Sequence, residues 1–382
     1  MTNGVLVAPD KFKGTLSAAE VAARVAAGLA GAGYQGEVVT LPVADGGDGT
    51  VDAAVAAGYR RVEMGVRGPV GKAVNAAFAL LDGTAVIEAA QACGLSRMPA
   101  GEFAPLTATT RGVGELMVMA VRMGAKRIVL GVGGTASTDG GAGLVQALGA
   151  RLNAAPGVEL PPGGAALAKL TAIDMSRLRD LSSVEFLLAT DVDNPLLGPN
   201  GAAAVYGPQK GASPADVELL EAALTQWADI AEEAVVARGD GSQLRFRDQA
   251  GAGAAGGLGF AAMLFLGARM RPGIEFLLEL GSFRDRLEGA RLVITGEGSL
   301  DEQTLRGKAP VGVARATAGH DPAVPVVAVA GRCSLTEEEL STAGISAAYA
   351  LTDIEPDLEK CLADPGPLLE QLAERIVADW LS

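Results

Sequence analysis

A set of acidic residues is spaced so that it could do chemistry: Asp10, Asp45, Asp48, Asp139, Asp191, Asp193, Glu297 and Asp301. Each lies in or beside a loop that follows a predicted strand. Any one of them alone reads as a solvated turn acid. Together they suggest a carboxylate-lined cleft, where a carboxylate can serve as general base, magnesium ligand or acceptor for a sugar hydroxyl. Basic groups recur in the same kind of loop: Lys11 and Lys13, Arg111 in ATTRG, Lys210 in GPQKG, Arg306 and Lys308 in TLRGK. Lysine offers a mobile point charge and arginine a bidentate fork, so phosphate and carboxylate could each be served. The plainer alternative is salt bridging to neighbouring acids.

Glycine-rich loops stand among these charges: 44-ADGGDGT-50, 131-GVGGTASTDGG-141, 251-GAGAAGGLG-259 and 296-GEGSLDEQTLRGKAP-310. A strand, such a loop and a helix start give several backbone N–H donors to a phosphate. No loop has the Walker A spacing. Gly131-Val132-Gly133 opens like a dinucleotide fingerprint, but its third glycine comes early, at Gly134, and recurs at Gly140. His320 sits between Gly319 and Asp321 in a turn context. As the sole histidine it all but excludes a Ser–His–Asp triad and excludes His-rich zinc chemistry. Cys93, Cys333 and Cys361 are too few and too far apart for a disulfide framework or a cysteine metal knuckle.

The elements that must position these loops follow an α/β rhythm. Val5–Ala8 and Val38–Val43 read as strands. Ser17 begins an Ala-rich helix, with Glu20 placed for a capping box. Strands are predicted over 61–66, 73–80, 84–88, 127–132 and 184–190. Helices are predicted from Thr110 to Met123, over 218–237 and within 256–267. The tail resumes strand and helix in turn: strands 291–295, 325–330 and 347–352, helices 308–317, 336–343 and 367–381. The matching rhythm at both ends predicts a discontinuous doubly wound α/β domain of residues 1–70 and 285–382, with a second domain, 71–284, inserted. The active site is expected in the cleft between them, since ligands sit beyond the carboxyl ends of strands.

Composition bounds the function. The chain has 382 residues, with 49% hydrophobic and 20% charged types, which excludes a disordered or coiled-coil protein. Its net charge of −14 disfavours nucleic acid as a partner. No stretch has the length of a membrane span and the amino terminus lacks a signal-peptide layout, so a cytoplasmic protein without a membrane partner is expected. Nothing in the sequence decides between monomer and homodimer. These features alone point to an enzyme acting on a small anionic or phosphorylated substrate, and leave phosphotransferase and dehydrogenase both open.

The loops carry a resemblance that narrows this. The segments 8-APDKFKGTLSA-18, 42-PVADGGDGT-50, 108-ATTRGVGEL-116, 131-GVGGTASTDGGAG-143, 190-TDVDNPLLGPNGAAAVYGPQKGA-212, 254-AAGGLG-259 and 293-VITGEGSLDEQTLRGKAPVGVA-314 resemble, in order, the bacterial glycerate kinase family with an APDSFKGSLSA-type amino terminus. Lys11 stands where that family commonly has Ser, and Asp48 where it commonly has Glu. The resemblance implies a Rossmann- or flavodoxin-like domain built from both chain ends and an inserted α/β domain of different topology. It also implies phosphorylation of D-glycerate to 2-phosphoglycerate, with ATP and Mg²⁺. Under it, Asp191 is the first choice for the carboxylate at the attacking hydroxyl, with Asp45 and Asp139 as rivals. Arg111 is expected at the glycerate carboxylate, with Lys13, Ser17 and Asp193 nearby. Gly133, Gly134, Asp139, Lys210 and Lys308 are expected at the nucleotide phosphates, and Glu297 and Asp301 at magnesium or ribose. Transfer to the 3-hydroxyl, a hydroxy-acid dehydrogenase and a non-catalytic ligand sensor remain the alternatives.

Overall fold

A computed structural model describes residues 4–44, 46–240 and 245–382, with the side chains at 238, 240 and 306 outside the description. The strands in chain order are β1 (Gly4–Pro9), β2 (Val38–Thr40), β3 (Arg60–Arg67), β4 (Ala73–Leu81), β5 (Thr84–Glu88), β6 (Arg127–Gly131) and β7 (Arg151–Ala155). They continue as β8 (Val158–Glu159), β9 (Ala172–Asp174), β10 (Glu185–Ala189), β11 (Arg269–Arg271), β12 (Ala290–Leu300), β13 (Val326–Cys333) and β14 (Ala347–Ala350). Two compact units form. Unit 1 takes residues 1–45, 52–58 and 272–382, and unit 2 takes 46–51 and 59–271.

Unit 1 is a parallel sheet in the order β14-β13-β12-β1-β2. Counted within the unit, that is the flavodoxin-like order 2-1-3-4-5, whose direction of winding reverses between β1 and β12. Its strands are apolar on both faces, as a sheet covered by helices on both sides requires. Val5, Val7, Ile294 and Val327 face the layer of helices Ala18–Gly31 and Pro365–Ile376. Leu6, Ala8, Val293 and Ala328 face the layer of helices Gly273–Leu280 and Ala309–Thr317. The predicted capping box at Ser17 is present, with Glu20 accepting from Ser17 N at 2.8 Å.

Unit 2 holds a mixed sheet, β11-β10-β6-β5-β4-β3. The strands β5, β6, β10 and β11 run parallel, and β3 and β4 join antiparallel. Asp82 and Gly83, both at positive φ, make the tight turn from β4 to β5. Trp227 is fully buried in the core and stacks on Phe265 with ring centroids 5.7 Å apart. Among the described residues no helix is long and apolar enough to cross a membrane.

Several expectations are corrected. Apart from the short segment 46–51, which joins unit 2, the units divide at 58/59 and 271/272, not at 70/71 and 284/285. β3 pairs along its whole length with β4, so it belongs to unit 2. Ile274, Leu278, Phe283 and Leu287 are buried in the unit 1 core, which draws their helices there. The small sheet β8-β7-β9 was not read from sequence, because its short strands lack sustained alternation. The segment read as a loop from Gly296 is the continuation of β12 to Leu300. Pairing with β13 through Leu300↔Cys333 holds it extended despite its glycines. The helix expected within 256–267 is present, regular from Leu258 to Leu266, after a kink in which Ala255, Gly256 and Gly257 take the left-handed region.

Candidate active site

In unit 1 the charged residues gather at the carboxyl ends of β1 and β12, where the strand order reverses and ligands of such sheets bind. Asp10, nearly buried, donates its N–H to Gly296 O at 2.8 Å. Its Oδ1 accepts from Lys11 N at 2.7 Å and faces Lys11 Nζ at 3.5 Å. Glu297 lies on β12 itself, 7% exposed. Its Oε1 accepts from the Thr304 hydroxyl, and its Oε2 lies 3.8 Å from Lys308 Nζ. Burial pushes the Glu297 carboxyl up to about 7, with the charges of Asp10 and Asp301 adding to the rise and Thr304 and Lys308 opposing it. Asp301 Oδ1 accepts from Gln303 N at 2.9 Å, and Asp301 N donates to Thr304 Oγ1 at 3.1 Å.

Thus Glu297, Asp301 and Lys308 are brought together, and Thr304 is the residue that sequence reasoning missed. Its hydroxyl links both acids. The Asp-x-x-Thr spacing after a strand was the available signal. Lys13 is exposed, and its backbone N would lie 3.3 Å from a Cβ placed at Gly298, so the turn after β1 covers the end of β12. Ser17 Oγ is committed to the helix cap, donating to Glu20 at 2.7 Å and accepting from Glu20 N at 3.3 Å.

In unit 2 the carboxyl ends of β5, β6 and β10 are level: Glu88 pairs with Gly131, and Gly131 with Ala189. The segment 46–48 lies over this edge. A Cβ at Gly131 would come 2.6 Å from Gly46 O, and one at Gly133 2.5 Å from the Gly47 Cα. Glycine is therefore required here for backbone-to-backbone contact. Gly133 N donates to Gly46 O at 3.3 Å, and a Cβ on Gly134 would strike the Asp48 carboxylate at 2.4 Å. Glu88, another residue the sequence did not flag, is buried and accepts from Gly49 N at 3.1 Å and Val51 N at 3.2 Å. It thereby holds residues 49–51 at the start of helix Thr50–Ala56. Asp191 and Asp193 are exposed in the loop after β10. Asn194 is fixed beside them, its amide donating to Asn200 O at 2.8 Å.

Asp139 and Lys210 lie behind this edge. Asp139 has no accessible surface. Its Oδ2 accepts from Thr110 N at 2.8 Å, Thr110 Oγ1 at 3.0 Å and Gly143 N at 3.2 Å, and its Oδ1 from Gly141 N at 3.1 Å. Burial raises its carboxyl pKa against the pull of these donors. A carboxylate so enclosed shapes the loop instead of meeting a ligand. Thr110 takes the N-cap position of helix Arg111–Arg122, but its side chain is spent on Asp139 and Leu144 N, leaving the cap bond unmade. Arg111 begins that helix, half-buried, with its Nε 3.7 Å from Glu115 Oε1 and without a hydrogen bond. Asp45 lies outside the described residues. Among the described residues no group of three or more acids, histidines or cysteines is arranged to hold a metal ion.

Comparison with known proteins places this architecture. The model of the glycerate kinase family matches residues 5–381. The chain is 44% identical over 378 residues to the glycerate kinase of Bacillus subtilis (strain 168), covering 98% of this chain and 97% of that one. It is 43% identical over 339 residues to the glycerate 2-kinase of Escherichia coli (strain K12), covering 87% and 86%. A crystal structure from Salmonella typhimurium LT2, assigned provisionally as a glycerate kinase 2, superposes with a TM-score of 0.81 at 39% identity and covers 100% of both chains.

Proposed function

Because the chain belongs to the glycerate kinase family, we propose that it transfers the γ-phosphoryl group of ATP to the 2-hydroxyl of D-glycerate, giving 2-phosphoglycerate and ADP. It is a phosphotransferase acting on an alcohol. The observation that carries the reading is the match over residues 5–381. The name of the Escherichia coli relative, a glycerate 2-kinase, supports the choice of hydroxyl.

Within the chain, Asp191 takes the proton of the attacking hydroxyl as its oxygen bonds to phosphorus and ADP leaves with the former bridging oxygen. Its exposure and its place at the carboxyl end of β10 suit this role. Of its rivals, Asp139 is unsuited, since both its oxygens are filled by protein donors. Arg111, aided by Lys13 and Asp193, orients glycerate. Ser17 is left to its cap. The 133–134 loop and Lys308 receive phosphate charge. Glu297 and Asp301, brought together through Thr304, are the carboxylates that would hold magnesium, which is commonly bound by one or two carboxylates plus substrate phosphates. When bound it supplies neutralisation of charge on the phosphate oxygens.

The test is a timed reaction of the purified protein with ATP, magnesium and D-glycerate, followed by phosphorus-31 NMR. A product doublet, from an ester on a carbon bearing one hydrogen, is the expected result. A triplet means 3-phosphoglycerate, and absence of a phosphoglycerate rejects the kinase assignment for this substrate. Asp191→Asn is expected to lower kcat by about 10²–10³-fold. Arg111→Ala is expected mainly to raise the KM for glycerate.

A further inference from the structure

Lys210 ends the short turn Pro208–Lys210 and is 3% exposed. A lysine is sealed from water only where partners replace its hydration. Its ammonium donates to the Ser137 carbonyl and to Thr135 Oγ1, the latter at 3.4 Å. Both acceptors belong to the segment that continues the glycine loop after β6. Backbone bonds tie the same segment from another side: Ala136 N donates to Cys93 O at 2.8 Å and Leu95 N to Gly134 O at 2.9 Å. Gly256 closes the enclosure, since a Cβ there would lie 2.2 Å from Ser137 O and 3.0 Å from Lys210 Nζ. An ammonium so enclosed has no access to a phosphate oxygen. It can influence a nucleotide only through the loop it holds.

We propose that Lys210 is a positioning residue: its buried ammonium holds residues 134–138 in the working shape of the phosphate loop, and turnover requires that this ammonium keep its proton. The consequence for turnover rests on the kinase reading above; the clamp itself does not. The charged and titratable groups facing Lys210 are Asp139 and Cys93. Burial pushes the Cys93 thiol up to about 12, so it stays neutral near pH 8. Burial also lowers the Lys210 ammonium to about 8, against the opposing influence of those two groups. In the unfolded chain the same lysine titrates near 10.5. Between these values the unfolded chain binds the extra proton, so this group's contribution to stability rises with pH. The clamp weakens as pH rises through about 8, because its hydrogen bonds pass from a charged ammonium to a neutral amine, a poorer donor. Turnover and this stability contribution therefore move in opposite directions above pH 8, which a merely structural lysine would not produce.

The experiment compares the full-length wild type with Lys210→Met. Hydrogen exchange of the 134–138 amides is measured without substrate, and the kcat for glycerate phosphorylation is followed from pH 6.5 to 9.5. In the wild type, kcat is expected to fall by about tenfold per pH unit above about pH 8. Lys210→Met is expected to lose about 10- to 100-fold in kcat at pH 7, to lack that limb and to exchange faster at 134–138. Wild-type kcat in the variant, persistence of the limb, or unchanged exchange would overturn the proposal. If the variant does not fold, wild-type protection of these amides at pH 9, corrected for chemical exchange, must be lower than at pH 7; equal protection rejects the clamp. A wild type that folds but makes no phosphoglycerate counts against the kinase reading, and the exchange data then decide the clamp alone.

Discussion

The strand-end cluster of unit 1 and the loop cluster of unit 2 use the same residue types in opposite ways. In unit 1, Asp10 faces Lys11 and Glu297 faces Lys308, acid beside base, with the lysines partly open to solvent. Such pairs can exchange partners when a ligand arrives. In unit 2, Asp139 and Glu88 accept backbone N–H groups and Lys210 donates to a backbone carbonyl, all in the interior. These charges are committed to chain geometry. An acid or a lysine in a glycine loop is therefore a ligand group or a scaffold group according to what fills its hydrogen-bonding capacity.

The comparison can be broken most sharply at Asp139. Asp139→Ala leaves the N–H groups of Thr110, Gly141 and Gly143 without their acceptor in a dry interior. The expected loss is about 3–5 kcal/mol of stability, read from the urea midpoint. A change under about 1 kcal/mol would show that the scaffold reading is mistaken.

A smaller effect is expected at Glu297, where the contrast is in pH. Its carboxyl is raised from 4.5 to about 7 in the folded chain. Between those values the folded state holds a proton that the unfolded state releases, so this group makes stability fall as pH rises through the window. Glu297→Gln should flatten that slope in magnesium-free denaturation curves taken from pH 4.5 to 7.5. An unaltered slope would mean that the cluster is more open to water than its geometry indicates.

The smallest effect is at Ser17. Ser17→Ala should cost about 1 kcal/mol through loss of the cap, with the KM for glycerate unchanged. A KM raised severalfold without a stability change would return Ser17 to the substrate site.

Much of the fold was legible because periodicity and turn chemistry are local. β5 falls on its predicted residues, helix 111–122 lies inside its predicted span, and the cap at Ser17 follows from a serine and a glutamate three residues apart. The end of β12 was not legible. Gly296 and Gly298 read as loop, and pairing with neighbouring strands, β13 along this end and β1 at Gly296, keeps it extended. The same limit applied to the 131–134 glycines. Their pattern suggests a phosphate loop, but not that the bare backbone of Gly131 and Gly133 also admits the backbone of residues 46–47 or that Gly134 lies against the Asp48 carboxylate.

The sequence by itself determined the α/β class, the discontinuous rhythm, the family and most of the chemically able side chains. These rest on residue type and short spacing, which the chain carries wherever it folds. The tertiary structure alone decided which of those side chains remain available. Asp139 and Lys210 have the composition of ligand groups, yet partners remote in the chain surround them, Thr110 for one and Thr135 and Ser137 for the other. Burial and hydrogen-bond saturation depend on residues far apart in sequence, so no local pattern could reveal them.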